Sequence, residues 1–352
     1  MKIGTKEIGI MKPTYFVADI AANHDGSLDR AITLINKCAE AGADAAKFQN
    51  FKAETIVCAK GFKELYRIKS HQSAWKEEVF DVYKKASISL EWSERLQQAC
   101  KSAGIDYFTA PYDLDIVDML DPYVCAWKIG SGDIDWIELI EKLSKKSKPL
   151  LIATGASSMK DVRLAVKTAL GNTRDLVLMQ CNTNYTGSNE NFNYINLSVL
   201  KAYNKEFPDI IIGLSDHTSG HATVLGAIAM GARVIEKHFT DDVNRRGPDH
   251  KFSMDPKAWK EMITRSRELE ASLGSDNKKV ELNEEETYIL QRRAIRASRD
   301  LEAGSLLSRE DIAVLRPCPA EALKPSAIKI VIGSQLNRAL KKGDLIGSND
   351  IK

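Results

Sequence analysis

The sequence lacks any Cys-x-x-Cys pair, and its six cysteines, Cys38, Cys58, Cys100, Cys125, Cys181 and Cys318, stand far apart. That excludes a disulfide scaffold and a paired-thiol motif, and reads as reduced, mostly buried thiols. An excess of one charge is also missing: 50 Lys and Arg face 48 Asp and Glu, a formal net charge of +2. So even a balance does not suit a nucleic-acid binder or a membrane-surface protein. There is no run of about 18 apolar residues to span a bilayer, and MKIGTKEIGIMKP at the start has no apolar core of the kind a secretory signal needs. A cytoplasmic location is therefore expected, with small molecules rather than nucleic acid or membrane as partners. NHDGSL, which follows the first apolar segment, is not the Gly-rich fingerprint of a dinucleotide-binding sheet.

What the sequence does contain is alternation. The chain has 352 residues, a length that favours one large domain and one small one. Short runs rich in β-branched and aromatic residues occur at 15–21, 45–51, 105–111, 125–131, 149–155, 176–182, 209–215 and 233–239. Between them lie amphipathic stretches such as LDRAITLINKCAEAGA, MKDVRLAVKTALG and HATVLGAIAMGA, with apolar residues three and four apart. Eight strand-helix units predict a TIM (β/α)8 barrel over residues 1–274. A polar linker follows at 275–290, and a small domain of short strands and turns at 291–352. The small domain carries a degenerate repeat, RDLEAGSLLSREDI (299–312) against RALKKGDLIGSNDI (338–351).

A barrel of this type builds its active site at the carboxyl ends of its strands. The predicted ends deliver Asp19 with Asn23, His24 and Asp25, then Lys47 and Gln49, then Lys128, Ser131 and Asp133, then Ser215, Asp216 and His217, and finally Glu236, Lys237 and His238. Two histidines on neighbouring strand ends suggest a divalent metal, with Asp216 and Glu236 available to orient the rings or complete the shell. Lys47 and Lys128 lie inside apolar runs, AAKFQ and AWKIG. A desolvated ammonium there needs either an anionic ligand or an acidic neighbour.

Taken together, ADIAANHDGSL, AKFQ, WKIGSGD, SDHT, EKHFT and RGPDHKFSMDP resemble the sialic acid synthase (N-acetylneuraminate synthase) family. The tail after Gln291 is similar to that family's C-terminal antifreeze-like (SAF) domain, and the resemblance covers essentially the whole chain. It implies condensation of phosphoenolpyruvate with an open-chain N-acetylmannosamine-type sugar, or with a diacetamido-trideoxyhexose, giving a nine-carbon 2-keto-3-deoxy acid and phosphate. It also implies a domain-swapped homodimer. The metal would be manganese first, with Mg, Co, Fe or Zn as alternatives, held by His217 and His238. By the same carry-over, Lys47, Lys128, Ser131 and Ser215 hold phosphoenolpyruvate, Gln49, Tyr185, Asp249 and Arg316 hold the sugar, Asp133 helps to shape the sugar pocket, and one of Asn182, Thr183 and Asn184 faces the phosphate. Asp19 manages protons.

The sequence departs from the family pattern in several places, among them CNTNYTGSNENF at the end of the sixth predicted strand and PCPAEALKP after Arg316. Asp19 and Asp133 stand where Glu is usual, and Ala110 and Ala153 where hydroxyl residues are familiar, with Thr109 and Thr154 beside them as candidates to compensate. Two rival readings use the same residues: a metal-dependent hydrolase, and a carbohydrate-binding protein that has lost turnover.

Overall fold

The computed structural model describes residues 1–65, 72 and 75–352. Eight strands close into a parallel barrel: β1 (Tyr15–Asp19), β2 (Ala45–Asn50), β3 (Asp106–Pro111), β4 (Trp127–Ile129), β5 (Leu150–Ala153), β6 (Leu176–Cys181), β7 (Ile211–Asp216) and β8 (Val234–His238). Each pairs with its successor and β8 pairs with β1, so no edge remains. The strands are near-continuous apolar runs because helices cover the outside while side chains fill the inside. At Gly213 a side chain has no room between β7 and β8: a Cβ there would lie 2.6 Å from the Val234 carbonyl oxygen.

The outer helices α1 (Leu28–Glu40), α2 (Trp92–Ser102), α3 (Val117–Leu120), α4 (Ile137–Ser144), α5 (Met159–Leu170), α6 (Val199–Glu206), α7 (Ala222–Ala229) and α8 (Pro256–Leu273) follow the strands in turn. In α1 the buried residues are Ala31, Leu34, Ile35 and Cys38, one face at the 3.6-residue period, and the Ser27 hydroxyl caps the amino end by accepting from Arg30 N. Helix α5 begins with a Ser158–Asp161 capping box, and α8 with Asp255 followed by Pro256. Between β2 and α2 the chain takes a long excursion with a short helix at Val79–Ala86, and connections of that length are commonly functional. Among the described residues no helix is long and apolar enough to cross a membrane. All six cysteines are free, and Cys58 is exposed.

The chain divides into two compact units, Met1–Gly274 and Ser275–Lys352. The second begins with the exposed stretch expected as a linker, which carries a short helix at Glu285–Leu290. Strands β9 (Ala294–Ala297) and β10 (Ile312–Leu315) then pair antiparallel. The sequence repeat is a structural repeat: Gly304 and Gly343 both take left-handed φ, +86° and +92°. Arg299 pairs with Asp311 and Arg338 with Asp350, each at 2.6 Å, and Leu301 bridges Leu340. The buried positions Leu301, Leu307, Leu340 and Ile346 supply equivalent parts of one small core.

Candidate active site

Side chains alternate across a strand, so residues two apart share a face. Along β8 this sends Glu236 and His238 inward and Lys237 outward; along β2 it aligns Lys47 with Gln49. The register sets Asp19 level with Lys47 on one side and His238 on the other. Lys47 donates to Asp19 Oδ2 at 2.6 Å and lies 3.7 Å from Glu236 Oε1. Lys128 donates to the same Glu236 oxygen at 2.7 Å, Ser215 Oγ at 3.3 Å, and Gln49 Nε2 donates to Asp19 at 3.2 Å.

Both lysines are 2% exposed, where an unpaired ammonium would cost several kcal/mol, on the order of the penalty for any buried ion. Two carboxylates balance two ammonium groups, so the structural and functional readings of these lysines coincide in one network. Burial alone would raise the Asp19 pKa, but the Lys47 charge and hydrogen bond overcome it and hold the carboxyl down at about 2. Lys47 keeps its proton for the matching reason, Asp19 and Glu236 outweighing desolvation. Glu236 Oε2 is buried without a hydrogen-bond partner.

Above this layer the His217 and His238 ring centroids are 5.3 Å apart. His217 Nδ1 lies 2.8 Å from the Asn182 carbonyl oxygen and donates to it, which leaves Nε2 as the free lone pair. Burial pushes the His238 pKa down to about 3 despite the Asp19 carboxylate 3.5 Å away. The ring is therefore neutral, as ligation requires. Its Nδ1 is buried with no partner. His217 differs: burial lowers its pKa, but Cys181 and the Asn182 carbonyl outweigh burial and raise it above the ordinary value, so a metal there would displace a proton. The two rings side by side fit a two-histidine metal site completed by substrate and water. Among the described residues no group of three or more His, Cys, Asp or Glu is arranged as a closed metal cage.

The remaining candidates group around these two layers. Ser131 Oγ accepts from Gly155 N at 2.9 Å, and a Cβ on Gly155 would meet Thr183, Ser131 and Cys181 within 3.2 Å. The Tyr185 ring lies 4.4 Å from His217 and 6.4 Å from His238. A cavity of about 210 Å³ opens above, with His238, Gln49, Tyr185 and Asp249 at its inner end and Phe51, Tyr83 and Tyr112 along its wall. Asp249 accepts from Ala22 N at 3.0 Å, and burial, reinforced by the Asp19 charge, raises its pKa to about 6. Asp133 is likewise raised to about 6 by burial and then by Asp135. Arg316 belongs to the second compact unit, where it is exposed just after β10.

The profile of the NeuB family matches residues 34–278, and that of the SAF domain matches residues 292–352. The chain belongs to the NeuB family. It is 35% identical over 346 residues to the N,N'-diacetyllegionaminic acid synthase of Legionella pneumophila, covering 97% of this chain and 95% of that one. It is 31% identical over 340 residues to the enzyme of the same name from Campylobacter jejuni, covering 96% and 99%. The crystal structure of N-acetylneuraminic acid (sialic acid) synthetase from Leptospira borgpetersenii, in complex with citrate, superposes with a TM-score of 0.71 at 27% identity, covering 82% of this chain and 94% of that one.

Within this NeuB-family barrel three expectations change. Asp216 does not reach the histidines: it points outward, bound to Lys237 at 2.5 Å and to the Thr218 and Thr223 hydroxyls at 2.8 and 2.7 Å. Thr109 and Thr154 do not replace the hydroxyls absent at Ala110 and Ala153. Thr109 Oγ1 donates to the Phe48 carbonyl, and Thr154 Oγ1 to that of Met179, on the far side of their strands. His24 is a packing residue, its ring edge-on to Trp92 at 5.7 Å. Sequence reasoning missed the aromatic wall of Phe51, Tyr83 and Tyr112, whose ring centroids lie 5.4 and 6.1 Å from Phe51. The signal available was the clustering of aromatic residues after β2 and β3. A second missed feature is the lock between the segments after β1 and β8, where Asp25 joins Arg245, His250 and Arg30.

Proposed function

We propose that this protein condenses phosphoenolpyruvate with the aldehyde of a neutral, N-acetylated amino sugar, most specifically a diacetamido-trideoxyhexose, to give a nine-carbon 2-keto-3-deoxy acid and phosphate. The observation that carries the reading is the pair of buried lysines sharing Glu236 beneath the adjacent rings of His217 and His238. Such a floor matches a small ligand with two anionic ends lying under a polarisable carbonyl.

Lys47 and Lys128 would neutralise the phosphate and carboxylate, with Ser131 and Ser215 as hydroxyl donors. A divalent ion at His217 and His238, manganese first, would supply Lewis-acid polarisation of the aldehyde oxygen. Carbon three of the enolpyruvate bonds to the aldehyde carbon, whose oxygen takes a proton and becomes a hydroxyl. Water adds at carbon two, and the bond from carbon two to the bridging oxygen breaks to release phosphate. Asp19, held ionised by Lys47, is suited to accept a proton from that water, whereas Asp249 is the carboxyl able to carry one near neutral pH.

The acceptor assignment rests on the cavity. Among the described residues no Lys or Arg lines it, which argues against a sugar phosphate, and Phe51, Ile56, Val82 and Ala86 offer apolar surface for acetyl and C6 methyl groups. The likeness to two diacetyllegionaminic acid synthases supports the same choice. Arg316, from the SAF domain of a partner subunit, is proposed to complete the sugar site.

The test is phosphate release from phosphoenolpyruvate with and without manganese across mannosamine-type and diacetamido sugars, with product mass. Phosphate together with a product three carbons larger than one sugar establishes the reaction. Phosphate without sugar consumption would instead mean hydrolysis, and sugar binding with no turnover would mean a non-catalytic binder.

A further inference from the structure

A second, wider cavity of about 1020 Å³ lies outside the one over the histidines, and the two share Ala22, Trp75, Val82, Ala86 and Pro248 as a common wall. Its charge is unlike that of the chain as a whole. Lys76, Lys85, Arg245, Arg246 and Lys251 line it against Asp25 and Glu77, while the full sequence is nearly balanced. Both acids are already matched: Glu77 pairs with Lys85, and Asp25 with Arg30, Arg245 and His250. Lys76, Arg246 and Lys251 have no ion-pair partner among the described residues, and all three are exposed. The inner cavity, by contrast, is lined by no Lys or Arg among those residues, and its Gln49 donates to Asp19, the partner of Lys47.

We propose that this outer cavity is a cationic vestibule that captures the phosphoenolpyruvate anion and delivers it through the shared wall to Lys47 and Lys128. The assignment rests on the condensation reading above. The volume favours capture over specific coordination, because a small trianion would be loosely held in so wide a space. A basic rim of low selectivity raises local anion concentration and encounter rate without fixing a pose. The same field does nothing for a neutral sugar, so the vestibule discriminates between the two substrates by charge alone. The Asp25 lock holds the 241–251 segment in place, so that Arg246 and Lys251 stay at the rim while Asp249 reaches the inner cavity.

The experiment is stopped-flow tryptophan fluorescence of phosphoenolpyruvate binding to the full-length protein with manganese, at a series of salt concentrations. The charge-reversal variant Arg246→Glu/Lys251→Glu is compared with wild type, and Lys76→Glu, from a different segment, is the second variant. At low salt the association rate constant should fall about tenfold in the double variant, with the wild-type and variant values converging as salt rises. Affinity for neutral N-acetylmannosamine should stay unchanged, which also shows that the variants are folded. Equal association rates at low salt in wild type and both variants would overturn the vestibule while leaving the functional reading intact. No phosphoenolpyruvate-dependent signal in wild type would remove that reading and the vestibule with it.

Discussion

Lys128 donates to Glu236 at 2.7 Å across the floor of the barrel, from a strand four places away in the closed order. The pair joins two nonadjacent strands through the interior, and the same glutamate oxygen faces Lys47 at 3.7 Å. If the two lysines receive an anionic substrate as proposed, Glu236 occupies its place in the empty protein, and substrate entry would redistribute that charge.

Glu236→Gln should accordingly make the empty protein less stable and more responsive to ligand. Removing one partner of a buried pair costs about 3–5 kcal/mol, and phosphoenolpyruvate can replace the missing negative charge. The expected result is a lower melting temperature without ligand and a larger phosphoenolpyruvate-induced rise than in wild type. Identical shifts in both proteins would show that the lysines do not meet the substrate.

His217 and His238 each offer a nitrogen that no protein group engages. Chelation followed by dialysis should abolish turnover and manganese should restore it, while His217→Ala and His238→Ala should each weaken manganese binding at least tenfold by titration calorimetry, as loss of one of two protein ligands implies. Wild-type manganese affinity in both variants would dismiss the two-histidine site.

Much of this arrangement is legible in the sequence. The eight strands and the amphipathic face of α1 follow from periods of two and 3.6, and the apolar context of Lys47 and Lys128 announces buried charge before any coordinates. Asp216, Thr109 and Thr154 were misread for one physical reason: a one-residue uncertainty in the phase of a strand moves a side chain to the opposite face. The aromatic wall leaves only a clustering of aromatic residues in the sequence, because Phe51, Tyr83 and Tyr112 meet through long-range contacts with no periodic signature. The pseudo-symmetry of the second unit was visible because its glycines and Arg–Asp pairs recur at matching positions.

Arg316 tests the proposed contribution of the second unit. It is exposed within its own unit, as a residue meant for another surface would be. Arg316→Ala should raise the KM for the sugar about tenfold or more, in line with losing a charged hydrogen bond, and leave the KM for phosphoenolpyruvate nearly unchanged. Equal changes in both, or none, would contradict an acceptor role.

Asp133 provides a pH test whose sign follows from its surroundings. Burial, then the Asp135 charge, raises its pKa from 3.8 to about 6 in the folded protein. Between those values the folded state holds a proton that the unfolded chain has released. The stabilising contribution is thus complete below pH 4 and lost as pH rises through 6. Two pKa units set a ceiling of about 3 kcal/mol, and partial solvent access at Asp133 reduces it to about 1 kcal/mol. Asp133→Asn keeps the shape and removes the titration. Its stability by urea denaturation should match wild type near pH 4 and exceed it by about 1 kcal/mol at pH 7. A gap that is independent of pH, or that widens toward acid, would mean that Asp133 has a cationic partner or is solvated, and is no carboxyl protonated near neutral pH.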